Sequence, residues 1–145
     1  MFIKQISVFL ENRPGTLREL TEKLGSNGID IRELSVADTQ NFGIVRMIMR
    51  SDVIESAMSL LKEEGYTARM NHVICAEIPD VPGGLGKLLG VIEDAGISVE
   101  YMYSFRRNAA GNVLLVLRLS EQEEGCKLLQ DAGVIVHTQE EADKY

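Results

Sequence analysis

The sequence predicts an α+β protein in which one βαββαβ unit occurs twice. The first observation is an internal repeat: after a shift of 68 positions the halves align without a gap, from Ile6 with Ile74 to Gly65 with Gly133. The second is that, in each half, apolar residues follow the period of a strand and then that of a helix, in the same order. Two copies of one fold explain both observations.

Each copy is expected to form a domain of its own, over residues 1–70 and residues 71–145. The residues that the copies share are mostly glycines, a proline and apolar side chains, which determine turns and cores. Pro14-Gly15, for example, falls on Pro82-Gly83. Because domains of about 70 residues are only marginally stable alone, each copy should bury further surface against a neighbour.

The first strand of each copy precedes the Pro-Gly turn, and the first helix follows it. Ile6, Val8 and Leu10 alternate with the period of a strand, and leucines at helical spacing follow the turn. The expected strands span residues 2–10, 29–38 and 44–50 in the first copy and 72–79, 97–107 and 112–119 in the second. A short fourth strand is expected to close each copy.

The second helix of each copy is expected to begin with a capping box. Asp52 with Glu55, and Ser120 with Glu123, have the required spacing of three residues. The resulting order is the split βαβ arrangement of a ferredoxin-like fold, with four antiparallel strands and two helices on one face of the sheet. These helices leave the opposite face of the sheet bare, and that face is expected to be buried on a partner chain or on the other domain.

The composition argues against nucleic-acid and membrane partners. The formal net charge is −7, whereas phosphate binding requires clustered Lys and Arg. The one basic doublet, Arg106-Arg107, is interpreted as a solvated strand end. No apolar run approaches the roughly 20 residues that span a bilayer, and the N-terminus lacks the apolar stretch of a signal peptide. A cytoplasmic location is expected.

No residue pattern indicates catalysis, a metal site or a cofactor. Cys75 and Cys126 form no CxxC pattern and are interpreted as buried free thiols, and His72 and His137 have no ligand-type residue at metal-binding spacing. No nucleophile or acid–base pair is clustered or repeated. The phosphate-binding loop of acylphosphatases, which share the ferredoxin-like fold, is also missing.

The turn after the first strand offers binding groups in both copies. Proline presets φ, and the following glycine lets the backbone turn and approach a ligand without a Cβ in the way. Because a helix begins there, unpaired N–H groups are expected to point outward and to favour a carboxylate, at Thr16, Leu17, Gly84 and Leu85. The side chain of Asn12 or Asp80 is placed to accept hydrogen bonds from an ammonium group.

These segments resemble the ACT domain family. Asn12-Arg13-Pro14-Gly15-Thr16-Leu17 and Asp80-Val81-Pro82-Gly83-Gly84-Leu85 resemble its D/N-x-P-G-x-L turn. Gly28-Ile29-Asp30-Ile31 and Gly96-Ile97-Ser98-Val99 resemble its G-[IV]-[ND]-[IV] segment at the start of the second strand. The resemblance covers nearly the whole chain, twice over.

The resemblance implies a regulatory, non-catalytic protein that holds a small amino acid between two domains. The residues that match the family's ligand contacts are Asn12, Gly15, Thr16, Leu17, Asp30 and Ile31 in the first copy and Asp80, Gly83, Gly84, Leu85, Ser98 and Val99 in the second. Many ACT domains have Asn where this chain has Asp30 and Ser98. Because Asp30 would repel a ligand carboxylate and Gly83-Gly84 leaves the backbone open, the second copy is expected to be the better site.

An interaction surface is the alternative to a ligand site. Tyr101, Tyr103 and Phe105 alternate along one strand and are interpreted as core or interface, and a homodimer is expected. RNA-recognition domains stack bases on such residues, but the first copy has no matching aromatics and the net charge is negative. The alternative function is a regulatory subunit that docks on a metabolic enzyme and whose ligand pocket is degenerate.

Overall fold

The computed structural model describes residues 1–38 and 41–145. They form two compact units, Lys4–Asn71 and His72–Tyr145, the latter joined by Met1–Ile3. Each unit contains the strands and helices of a βαββαβ repeat, which confirms the predicted α+β fold class of two ferredoxin-like domains.

The first unit has three strands and two helices before the chain enters a long fourth strand. The elements are β1 (Ile3–Glu11), α1 (Thr16–Ser26), β2 (Glu33–Asp38), β3 (Phe42–Ile48), α2 (Ser51–Glu63) and β4 (Thr67–Pro79). Strands β1 and β2 both pair antiparallel with β3, and β4 begins in this unit.

The second unit repeats this order and adds a C-terminal helix. After the end of β4 come α3 (Gly84–Glu93), β5 (Val99–Arg107), β6 (Asn112–Leu119), α4 (Gln122–Asp131), β7 (Ile135–His137) and α5 (Gln139–Ala142). Strand β4 pairs with β6 and β7, and β5 pairs with β6, all antiparallel. The strand order is therefore β7-β4-β6-β5.

The strands differ from the sequence prediction at β2, β4 and β5. The last strand of the first copy and the first strand of the second are one strand, β4, because no glycine or proline interrupts the chain between Thr67 and Ile78. Strands β2 and β5 begin at Glu33 and Val99, later than predicted.

The predicted capping boxes are wrong. Helix α2 begins at Ser51, so Asp52 lies inside its first turn, where it pairs with Nε of Arg50 at 3.1 Å. Helix α4 begins at Gln122 and has no side-chain cap, and Ser120 Oγ accepts the Ser98 N–H at 3.1 Å instead. A capping box does occur at α5, where the side chains and backbone N–H groups of Thr138 and Glu141 bond reciprocally.

Each unit has its own core on the helical face of its strands. In the first unit Ile6 lies opposite Met47 and Val8 opposite Val45, and these side chains pack with apolar residues of α1 and α2. The second core contains the side chains of Ile74, Ala76, Ile78, Leu88, Ile92, Leu115, Leu117, Leu119, Cys126 and Leu129. Burial of this apolar surface stabilises each unit.

The face of the strands that the helices leave uncovered also carries buried residues. In the first unit Gln5 and Ser7 are buried on that face, and the Ser7 hydroxyl donates to Asn71 Oδ1 at 2.9 Å. In the second unit Cys75 and Val116 are fully buried there. Phe105 is also buried, at 4% exposure, so it belongs to the interior and is not available as an interface anchor.

Candidate functional site

The two Pro-Gly turns have the same backbone geometry. Gly15 has φ 90° and ψ −14°, and Gly83 has φ 84° and ψ −7°, so both adopt the left-handed conformation that favours glycine. With proline before them, these angles define type II turns that lead directly into α1 and α3. A Cβ added at either glycine would meet no atom within 4 Å, so the outer side of each turn is open.

The hydrogen bonds of the turn determine which N–H groups a ligand can reach. The N–H of Thr16 donates to Arg13 O at 3.3 Å, and that of Gly84 donates to Val81 O at 3.0 Å, because a type II turn closes with this bond. These two groups are therefore not open, contrary to the prediction. Within the described part of the chain, the N–H groups of Leu17 and Leu85 have no hydrogen-bond partner.

The first turn borders a cavity of about 160 Å³ that brings together three of the predicted residues. Asn12, Thr16 and Leu17 line it beside Leu10 and Val36, with Leu17 and Val36 still 38% and 49% exposed. The Thr16 hydroxyl donates to backbone carbonyls of the turn, so its methyl group is held in one orientation. The cavity thus combines apolar walls with the Asn12 amide and with Glu11 and Arg13, which form an ion pair at 2.6 Å.

Three predicted residues of the first copy, Gly15, Asp30 and Ile31, do not line this cavity. Asp30 is exposed in the connection between α1 and β2, and Ile31 packs against the core of its unit. The family pattern placed both at the start of a strand, but β2 begins at Glu33. Their contact with a ligand stays a prediction.

The second turn differs in its polar groups. The carboxylate of Asp80 forms an ion pair with Arg107, the last residue of β5. A Cβ on Gly84 would lie 2.5 Å from the carbonyl oxygen of Pro79, so this glycine allows close packing within the unit. Leu85 is 40% exposed, and the Ser98 N–H is bonded to Ser120. The ranking of the two copies as ligand sites stays a prediction.

A second cavity, of about 380 Å³, lies on the other side of the first turn. Its charges are paired: Lys23 Nζ lies 2.6 Å from Glu64 and 3.2 Å from Glu19, and 5.3 Å from the centre of the Tyr66 ring. The hydrogen bonds to Glu64 and Glu19 raise the pKa of Lys23 well above its usual value. The ammonium group is therefore permanently charged and already satisfied.

A buried polar cluster in the second unit was missed by the sequence analysis. The Glu77 carboxylate accepts hydrogen bonds of 2.7 Å from Asn112, Asn108 and His137 Nε2, and the side chains of Glu77 and His137 are each 8% exposed. The bond from Asn112, then those from His137 and Asn108, lower the pKa of Glu77. The cluster joins the β5–β6 connection to β7, and the Tyr145 ring packs edge-on against His137.

The remaining reactive groups show no catalytic arrangement in the described ranges. Cys75 is fully buried, and burial raises the pKa of its thiol to about 12, which keeps it protonated near neutral pH. Residues 1–38 and 41–145 contain no group of three His, Cys, Asp or Glu side chains placed to hold a metal ion. Across the same residues, no helix has the length and apolar character needed to traverse a bilayer.

The doublet Arg106-Arg107, predicted to be a solvated strand end, makes specific contacts. Arg107 pairs with Asp80, and Arg106 donates to the carbonyl oxygen of Tyr145 at 2.8 Å. Both side chains remain largely on the surface. The doublet therefore connects the end of β5 to the second turn and to the C-terminal segment.

Two βαββαβ units with a type II Pro-Gly turn before each first helix define a pair of regulatory ACT-type domains. The family model described as an ACT domain pair matches residues 1–132, and the chain belongs to this family. The predicted resemblance is thereby confirmed. No curated protein matches the chain.

Solved structures show the same architecture. Protein BT0572 from Bacteroides thetaiotaomicron is 32% identical, with a TM-score of 0.89, and the alignment covers 100% of this chain and 98% of that one. The regulatory subunit of aspartate kinase from Thermus thermophilus is 16% identical, with coverage of 89% and 91% and a TM-score of 0.63. That from Thermus flavus is 14% identical, with coverage of 90% and 92% and a TM-score of 0.62. At 16% and 14% identity, the similarity to these two subunits shows only that the fold is shared.

Proposed function

We propose that this chain is a regulatory protein that binds a free amino acid at its Pro-Gly turns and catalyses no reaction itself. The observation that carries the proposal is the cavity of about 160 Å³ beside the first turn, which Asn12, Thr16 and Leu17 line together. The family match supports a regulatory role, because ACT domains are regulatory. A cytoplasmic location belongs to the same proposal.

The first turn offers complementary groups to each part of an amino acid. The ligand carboxylate faces the start of α1, where the Leu17 N–H has no partner among the described residues and the helix dipole favours an anion. The Asn12 amide oxygen accepts from the ammonium group. Leu17 and Val36 form an apolar wall, so an aliphatic side chain is favoured over a charged one.

The second turn is the weaker amino-acid site in this proposal. An incoming ammonium group that uses Asp80 has to displace Arg107, which already pairs with that carboxylate. An exposed ion pair of this kind is worth only about 0.2–1 kcal/mol, so the second site is weakened and not abolished.

A homodimer completes the proposal, since small domains bury exposed apolar surface on a neighbour. Leu34 and Val36 are 39% and 49% exposed on β2, which pairs only with β3 among the described strands. Light scattering at micromolar concentration is expected to show a dimer, and a monomer at all concentrations would contradict it.

The second candidate function is a regulatory subunit that docks on a metabolic enzyme. The exposed aromatic side chains of Phe9 and Phe42 favour this candidate, because they offer apolar surface to a protein partner.

Thermal unfolding in the presence of each of the twenty amino acids tests the ligand proposal, because a specific ligand raises the melting temperature saturably. Leu17→Glu places a negative charge where the ligand carboxylate and side chain are expected. Leu85→Glu is the matched control at the equivalent, similarly exposed position of the second copy. Leu17→Glu is expected to weaken binding at least tenfold, about 1.4 kcal/mol, and Leu85→Glu much less. A panel without any saturable shift favours the docking candidate.

A further inference from the structure

The second unit contains an apolar cleft that the amino-acid site proposed at the first turn does not use. It has a volume of about 220 Å³ and lies between the end of β4, helix α3 and the segment that follows α4. Val81, Leu88, Val91 and Val134 contribute its apolar walls. Val81 is 58% exposed, so an apolar side chain stands at the mouth of the cleft without being packed.

Two ionisable residues line this cleft, and they differ in what they offer a ligand. Glu77 already accepts hydrogen bonds from Asn108, Asn112 and His137, so its carboxylate is satisfied. Lys87 makes no ion pair or side-chain hydrogen bond within the part of the chain that the structure describes. The cleft therefore combines apolar walls with one available cation and no available anion.

The repeat provides an internal comparison for this arrangement. A shift of 68 positions aligns the lining of this cleft with that of the cavity of about 380 Å³ in the first unit. Val81, Lys87, Val91, Ala132 and Val134 of the second unit correspond, in this order, to Arg13, Glu19, Lys23, Glu64 and Tyr66 of the first. In the first unit the ammonium group of Lys23 forms ion pairs with Glu64 and Glu19, so it is not available to a ligand. Since the same fold forms with either set, neither the apolar walls nor the unpaired lysine is required by the fold.

We propose that the cleft beside α3 binds a short aliphatic monocarboxylate, with its chain against Val81, Leu88 and Val134 and its carboxylate on the Lys87 ammonium group. The volume is below the roughly 300 Å³ at which sites for drug-sized ligands begin, so the ligand is small. A free amino acid is disfavoured because its ammonium group would enter an apolar cleft in which the one described carboxylate, that of Glu77, already accepts three hydrogen bonds. The site thus distinguishes a carboxylic acid from the amino acid with the same carbon skeleton.

Three probes with closely similar branched chains test this inference: 4-methylpentanoate, leucine and 3-methylbutylamine. Each is titrated into the full-length chain while backbone amide NMR shifts are recorded. We expect 4-methylpentanoate to shift residues 78–91 and 132–134 saturably. Leucine is expected to bind this cleft at least about tenfold more weakly, and the amine not at all.

Surface variants identify the group that holds the carboxylate. Lys87→Gln keeps a flexible polar side chain, one atom shorter, and removes its charge, and it is expected to weaken 4-methylpentanoate binding about tenfold. Lys127→Gln, on α4 of the same unit, is the control and should leave binding unchanged. Val91→Lys restores the lysine of the first unit and should block the cleft.

Two results would overturn the inference: no saturable shift with 4-methylpentanoate in the wild type, or equal binding to Lys87→Gln. Shifts with leucine confined to residues 12–17 would instead report on the amino-acid site at the first turn. The outcomes for the two sites are therefore distinguishable in the same titrations.

Discussion

At the scale of single residues, the two adjacent glycines of the second Pro-Gly turn have different structural roles. Gly83 supplies the left-handed conformation of the type II turn, and Gly84 lets the start of α3 approach the end of β4. The sequence did not predict these separate roles, because the short distance from Gly84 to Pro79 depends on how β4 and α3 pack. The conformation of Gly83 followed from the Pro-Gly pair alone.

Alanine substitutions on α3 separate close packing from helix propensity. Gly84→Ala would put a Cβ 2.5 Å from the Pro79 carbonyl oxygen and is expected to destabilise the protein by about 1–3 kcal/mol. Gly86→Ala meets no atom within 4 Å and is expected to stabilise it by about 0.5–1 kcal/mol. Urea unfolding measures both, and equal effects would show that the packing at Gly84 is not as described.

Glu77 is expected to give the stability of the protein an acid dependence. Its pKa is lower in the folded chain than the ordinary value of 4.5, so its stabilisation is present above pH of about 4.5 and is lost as the pH falls through the folded pKa. Glu77→Gln should cost about 1.5–3 kcal/mol at pH 7, because three hydrogen bonds to a charged acceptor are weakened. The measurement is the free energy of unfolding of both proteins from pH 7 to pH 3. A difference between them that does not shrink at low pH would contradict this role.

At the scale of elements, local patterns predicted strands and helices better than their ends. The alternation of Ile6, Val8 and Leu10 and the leucines of α1 correctly predicted buried faces. The capping boxes failed because the spacing of Ser or Asp with Glu recurs by chance, and the first hydrogen-bonded turn determines where a helix begins. The Glu77–His137 pair could not be predicted from local patterns, because the two residues are 60 positions apart and meet only through the pairing of β4 with β7.

The capping box of α5 is expected to hold the C-terminal segment in place. Thr138→Ala removes both the acceptor for the Glu141 N–H and a partner of the Glu141 carboxylate. A helix of only four residues cannot compensate, so a loss of about 1 kcal/mol should free this segment. Amide hydrogen exchange is expected to accelerate in residues 139–145 and to stay unchanged in β1. Unchanged exchange in the C-terminal segment would show that other contacts hold it.

At the scale of the whole molecule, duplication has preserved a framework while its surfaces diverged. The glycines of both turns keep the same angles, and each unit keeps its own core. The sequence predicted the repeat, the fold class and the family because these depend on residues that both copies share. It did not predict the Asp80–Arg107 pair, because the pair joins residues from separate elements, which no local pattern reveals.

The central claim is that a free amino acid binds beside the first Pro-Gly turn. The most direct measurement is an amide NMR titration of the full-length chain with the amino acid that most raises its melting temperature. We predict saturable shifts centred on residues 12–17 and on Val36, largely lost in Leu17→Glu and retained in Leu85→Glu. Saturable shifts confined to residues 80–85, or equal affinity of Leu17→Glu and the wild type, would contradict the claim.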